Sequence, residues 1–148
     1  MAKYEHSVWI DRPVGEVFKF ATKPENEPKW NAIMQESEIT SEGPMGVGTT
    51  VRSVSRVLGR AMETTWEVVD YEVNRRKAVK STSGPIPLES IAVFEPVEGG
   101  TKLTFTLRTE AGGIFKLIAP IIFSMGKRQT EQSFINLKKL LETHSQPS

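Results

Sequence analysis

Few side chains in this chain of 148 residues could do chemistry, and their types limit what that chemistry is. There is no cysteine, which excludes disulfides, thiol nucleophiles and cysteine-held metal clusters and fits a reducing cytoplasm. Two histidines are too few for a zinc site, so neither metal nor cofactor is expected. His6 lies on an alternating stretch and faces inward if Val8 and Ile10 do. It reads as a partly exposed strand histidine or as a general base, and no spacing supplies the partner a base needs. The carboxylates fall on predicted outer faces, with no pair set by helical spacing for acid/base work. The segment 43–48 is glycine-rich but lacks the Gly-Lys-Ser/Thr ending of a phosphate loop. It reads as a hairpin turn, with gating of a pocket as the alternative. What remains is a set of aromatic, thioether and hydroxyl side chains suited to holding a molecule rather than attacking one.

The long helical stretch 114–141 positions part of that set. At about 100° per residue, Phe115, Ala119, Ile122, Phe123, Gly126, Thr130, Ser133, Phe134, Leu137, Leu140 and Leu141 share one broad face. The face is bulky at both ends and small or polar in the middle. Gly126, Thr130 and Ser133 are expected to leave a gap with hydroxyls looking into it. Strands supply the opposite wall. In 61–71, Met62, Thr64, Trp66 and Val68 share a face, and Glu63, Thr65 and Glu67 make the better solvent face. In 49–58, Ser53 and Ser55 fall on the inner side with Val51 and Val57, because the reverse phase would bury Arg52 and Arg56. If the phase were reversed, Arg52 would be a carboxylate binder. Leu103, Phe105 and Leu107 alternate with polar neighbours and face inward. In 88–94 both faces are apolar, and Ile91 and Val93 compete with Ala92 and Phe94. Trp30 and Trp66 read equally as core or as lining of a ligand cavity.

In order, 4–10 reads as a strand, Pro13 starts a short helix through Ala21, and a second short helix runs from Pro24 to Trp30. Thr22 and Glu25 stand at capping-box spacing, and Pro28 makes the second helix irregular. Six strands follow, over 34–40, 49–58, 61–71, 77–83, 88–94 and 102–108, joined by short turns. The expectation is an α+β domain spanning 1–148, with a seven-stranded antiparallel sheet wrapped around the C-terminal helix and a fraying tail over 144–148.

Composition removes other classes. The net charge of +1 gives no bulk field for nucleic acid. No apolar run is long enough for stable membrane insertion; the best candidate, 114–125, carries Lys116 and Pro120. The N-terminus has no apolar signal core, so a cytoplasmic protein is the expectation.

Several pieces together resemble the SRPBCC superfamily, which includes the START-related and birch-allergen-like proteins, and within it the polyketide cyclase/dehydrase-like group. They are the run 8–13 followed by Val17-Phe18, the second helix ending at Trp30, Gly48-Thr49, Trp66-Glu67-Val68, Gly100-Thr101 and the closing 137–142. The resemblance covers nearly the whole chain and implies the helix-grip fold, with an internal cavity for a lipid, polyketide or aromatic compound. It also implies that Trp30 lies near the cavity mouth. The expected ligand-binding residues are Trp30, Ser53, Ser55, Met62, Thr64, Trp66, Phe105, Ile122, Gly126, Thr130 and Ser133. Three readings follow: a carrier or sensor of a hydrophobic small molecule, a cyclase or dehydratase using the same cavity, and an interaction protein. The last rests on Ile114, Leu117, Ile121 and Met125, which cluster opposite the core stripe and suit a homodimer contact.

Overall fold

The computed structural model describes residues 2–57, 59–84, 87–109 and 114–143, with the backbone alone for 2, 114–119, 122 and 123. Strand β1 (Ala2–Ile10) leads into α1 (Val14–Thr22), a single 3₁₀ turn (Pro24–Asn26) and the one-turn helix α2 (Glu27–Trp30). Strands β2 (Met34–Ile39), β3 (Thr50–Val57), β4 (Arg60–Glu72), β5 (Arg76–Ser83), β6 (Glu89–Val97) and β7 (Gly100–Thr109) follow, and α3 (Ile114–Thr143) closes the chain. The sheet is seven-stranded and antiparallel, in the order β1-β7-β6-β5-β4-β3-β2. Successive strands from β2 to β7 pair through their turns, as expected, and β1 returns to pair with β7.

Local chemistry sets the boundaries. Pro24 disfavours helix at Lys23, whose ψ of 120° ends α1. The capping box expected at Thr22 and Glu25 is absent: the Thr22 hydroxyl donates backward to the Phe18 carbonyl at 2.6 Å instead. Tight turns take the left-handed region at Asn74 and at Glu98-Gly99. Gly100 is buried where a Cβ would lie 2.5 Å from the Ile10 carbonyl oxygen, so only glycine lets β1 and β7 close there.

Register assigns the faces. His6 pairs with Phe105, Phe105 with Ala92, Ala92 with Lys77 and Lys77 with Tyr71, so these side chains share the concave side. This settles β6: Ala92 and Phe94 face inward. Farther along, Ser81, Trp66, Val51 and Ile39 form one concave row, and Thr64, Ser53 and Ser37 form the next. A bulge between Val68 and Asp70 lets both Val68 and Tyr71 face inward despite their odd spacing, and it tightens the curl of the sheet. On the convex side Arg52 is bonded to Glu36, Glu38 and Glu63, which removes the carboxylate-binding alternative for Arg52. Arg76 likewise meets Asp70, and Arg108 meets Glu89.

The densest packing lies at one end of the concave face. Ile10, Val17, Phe18, Phe94, Leu103, Leu137 and Leu141 are buried together there, with Phe18 edge-on to Phe94 at 5.0 Å. Polar bonds clamp the C-terminal turns of α3 to the β1–α1 corner. Arg12 donates to the carbonyls of Leu141 and Glu142, which no further helical turn can satisfy. Glu142 accepts from the Asp11 backbone N–H at 2.8 Å, and Lys138 Nζ donates to the Trp9 carbonyl. Burial pushes the Glu142 carboxyl up, but the bonds from Lys138 and Asp11 and the charge of Arg12 outweigh it and hold the carboxyl below its ordinary value.

Candidate functional site

The other end of the concave face is less closely packed, and the space it borders is referred to below as the hollow. Tyr4, His6, Ser55, Met62, Thr64, Trp66, Val79, Ser90, Phe105 and Leu107 all point inward, yet each stays only half-buried. The helix α3 runs along β1 and meets α2. Its middle therefore roofs this space from the β1 side, and α2, packed on β2, bounds the far side.

The residues expected to bind a ligand divide into three groups. Trp66, Ser53, Thr64, Ser55 and Met62 come together as neighbours on β3 and β4. Trp66 Nε1 donates to Ser53 Oγ at 2.9 Å, so the Ser53 oxygen is occupied while its proton remains available. On the helical side Phe134 stands at the centre of an aromatic cluster, with ring centroids 5.6 Å from His6, 5.6 Å from Phe105 and 6.1 Å from Trp30. Gly126 and Thr130 lie two turns and one turn before it on the same helix. A Cβ at Gly126 would sit 3.8 Å from Leu107, an ordinary contact, so α3 approaches β7 here without requiring glycine. Ile122 lies outside the described side chains.

Ser133 departs from expectation. It is buried, but its hydroxyl donates to the Gln129 carbonyl at 2.7 Å and accepts the Ala32 N–H at 2.8 Å. It ties the α2–β2 connection to α3 instead of facing the gap. Asn136 reinforces that tie by donating to the Trp30 carbonyl. Of the apolar outer patch, Ile121 is 64% exposed and Met125 is half-buried; the side chains of Ile114 and Leu117 lie outside the described set.

Sequence reasoning named Trp30 but not its unmet indole N–H, and it missed Tyr4, Ser37 and a fourth group. Tyr4 Oη, Trp30 Nε1 and Ser37 Oγ are buried atoms without a hydrogen-bond partner among the described residues. Burial, then the Glu131 carboxylate on α3, pushes the Tyr4 phenol above its ordinary value and keeps it a donor. The fourth group is a pair, Glu27 at the start of α2 and Lys77 on the concave side of β5. Lys77 Nζ donates to the Thr22 carbonyl at 2.9 Å. Burial raises the Glu27 carboxyl, opposed by Lys77 and by a bond to Asn31; burial lowers Lys77, opposed by Glu27 and Glu25. No local spacing announces this pair, because strand register and the α1–α2 corner bring it together.

A separate cleft of about 480 Å³ lies between α1 and the ends of β2 and β4, lined by Phe18, Lys19, Lys23, Ile39, Met45, Tyr71 and Val73 among others. None of the expected ligand-binding residues lines it, and none of the unpartnered interior donors does. The hollow is therefore the stronger candidate. No group of three or more potential metal ligands occurs among the described residues.

Comparison with known proteins decides the family. The model of the family described as "Polyketide cyclase / dehydrase and lipid transport" matches residues 1–142. This chain belongs to that family. Solved structures agree on the fold of this family member. TTHA0849 from Thermus thermophilus superimposes with a TM-score of 0.82 at 20% identity, covering 98% of this chain and 100% of that one. The Zhui aromatase/cyclase from Streptomyces sp. R1128 gives 0.79 at 16% identity over 99% and 96%. A START superfamily protein from Mycobacterium smegmatis gives 0.77 at 15% identity over 95% and 97%. These likenesses establish the helix-grip fold of START-like proteins. No curated protein matches at the sequence level. None of the helices, among the described residues, is long and apolar enough to cross a membrane.

Proposed function

We propose that this protein binds or carries a hydrophobic or aromatic small molecule, lipid- or polyketide-like, in the hollow between its sheet and α3. One observation carries the reading: a run of inward-facing side chains from Tyr4 to Met62 is left half-open, while the other end of the same concave face is closed. An apolar guest would remove that surface from water at about 25 cal/mol per Å², less the costs of association. Trp30, Trp66, Met62 and Phe105 would supply the apolar walls, and Ser53, Ser55, Thr64 and Thr130 the polar points. A thermal-shift series with fatty acids, sterols, flavonoid-like aromatics and polyketide mimics tests this. A binder at a hundredfold excess over its dissociation constant stabilises the fold by about 2.7 kcal/mol. Flat curves for all classes, on protein shown to be ligand-free, would refute the reading.

A second reading, a cyclase or dehydratase, draws on Glu27 and Lys77. A half-buried acid and base, Glu27 at the start of α2 and Lys77 on the concave side of β5, could exchange protons with a held substrate. Product formation from a bound polyketide mimic, lost in Glu27→Gln, is its test. The exposure of Ile121 supports self-association through that helix face, which sedimentation of wild type against Ile121→Glu would reveal. The chemistry of a cysteine-free chain suits a cytoplasmic setting.

A further inference from the structure

The cleft outside the hollow, between α1 and the ends of β2 and β4, is built from one face of α1. Gly15, Phe18, Lys19 and Thr22 recur at helical spacing and all line it, and Lys23 follows at the end of the helix. Ile39 closes β2 on the other side, with Met45 from the loop after it, and Tyr71 and Val73 come from the end of β4 and the turn beyond. The rings of Phe18 and Tyr71 stand 5.7 Å apart in this lining. Phe18 is buried, but Ile39 and Val73 are 41% and 63% exposed. Apolar side chains left open around a concave space are what an apolar guest covers. A volume of about 480 Å³ is in the range that holds a small molecule. Aromatic rings beside the Met45 thioether favour a guest that is itself aromatic.

Charge adds a second requirement. Lys19 and Lys23 are exposed at the cleft and form no ion pair among the described residues. The neighbouring carboxylates are committed: Glu16 to Arg12, and Glu72 to Arg75 and Arg76. Glu25 is the acid among the described lining residues, and its charge acts on Lys77, which is fastened to the Thr22 carbonyl. The described lining thus sets two cations against one carboxylate that already has a cation beside it. Each lysine is a point charge on a flexible stem, so it can follow an anionic group while the stem covers apolar surface.

We propose that this cleft is a second ligand site, separate from the hollow, for a small aromatic carboxylate: its rings lie against Tyr71, Met45 and Ile39 and its carboxylate between Lys19 and Lys23. The proposal stands independently of what the hollow binds.

Methionine methyl signals in nuclear magnetic resonance separate the two sites, because Met45 lines the cleft and Met62 faces the hollow. Three probes of one shape and different charge are 2-naphthoate, 2-naphthamide and 2-naphthylmethylammonium. Naphthoate should shift the Met45 methyl saturably, and Met62 reports independently on the hollow. The neutral amide should bind at Met45 about 2- to 30-fold more weakly, since two exposed ion pairs are lost, and the ammonium should bind most weakly. In the double variant Lys19→Gln with Lys23→Gln, naphthoate should fall to the affinity of the amide, whose own binding is unchanged. Raising salt from about 0.05 M to about 0.5 M in unaltered protein should narrow the same gap, and it carries the test if the double variant does not fold. A Met45 signal unmoved by millimolar naphthoate, or amide or ammonium binding as tight as naphthoate, would overturn the proposal. A naphthoate shift confined to Met62 would overturn it while supporting the reading of the hollow.

Discussion

The two ends of the concave face are built from the same strands and the same helix, yet they solve opposite problems. At the closed end Ile10, Leu103 and Leu137 are at most 1% exposed and the last turns of α3 are clamped by Arg12, Lys138 and Glu142. At the open end the same alternation continues, but among the described side chains Gly126 and Thr130 oppose it, and Phe134 meets His6 and Phe105 in a cluster of rings. The difference teaches where stability and function reside. The closed end has the burial that holds the helix on the sheet. The open end gives up packing and keeps donors unmet, which is tolerable because the closed end already fixes the geometry.

The largest test of that division is Leu137→Ala. It removes a fully buried side chain from the closed end and should cost about 2–5 kcal/mol in denaturant unfolding. Met62→Ala, at the open end, should cost well under half as much; equal costs would erase the distinction. Next comes Arg12→Ala, which strands two helix-terminal carbonyls and should cost about 1–3 kcal/mol while leaving ligand affinity alone.

The pH dependence should also differ between regions. The Glu142 carboxyl is depressed, so its contribution is present above its unfolded value near 4.5 and is lost as pH falls through the lower folded value. The Glu27 carboxyl is raised, so its contribution is fully present below about 4.5 and is lost as pH rises through the higher folded value. Glu27→Gln should therefore gain melting temperature relative to wild type as pH is raised from about 5 to about 8. Glu142→Gln should lose relative melting temperature above about pH 5 and converge on wild type in acid. Melting curves of both variants across pH check the signs, and parallel behaviour would refute the assignment. The smallest effect belongs to Ser53→Ala. It removes the acceptor of Trp66 Nε1 and should cost about 0.5–1.5 kcal/mol, with a change in tryptophan emission.

Much of the fold is legible in the sequence because its patterns are local. Glycine pairs and alternation mark the strands, and the arginines of 49–58 give the phase of β3, since burying Arg52 would need partners that only the convex side has. The phase of β6 is not legible: Ile91 and Val93 are as apolar as Ala92 and Phe94, and only pairing of Ala92 with Phe105 decides. Tyr71 is unreadable as concave because a bulge breaks the period of two. In the candidate site, the aromatic and hydroxyl residues of β3 and β4 can be read from alternation. The use of the Ser133 hydroxyl cannot, because its acceptor role depends on Ala32, 101 positions away. Lys77 and Glu27 are hidden for the same reason.

The clamp at the β1–α1 corner has a mechanical consequence. Fastened near Leu141 and again at Asn136 and Ser133, α3 can pivot without breaking a described tie only beyond Ser133. Gly126 lies seven residues past that point, about 10 Å at 1.5 Å per residue. A tilt of about 5° there lifts the roof over Leu107 by roughly 1 Å and leaves Leu137 in place. The geometry lets the hollow change its depth to suit guests of different thickness at little expense to the core beside the pivot.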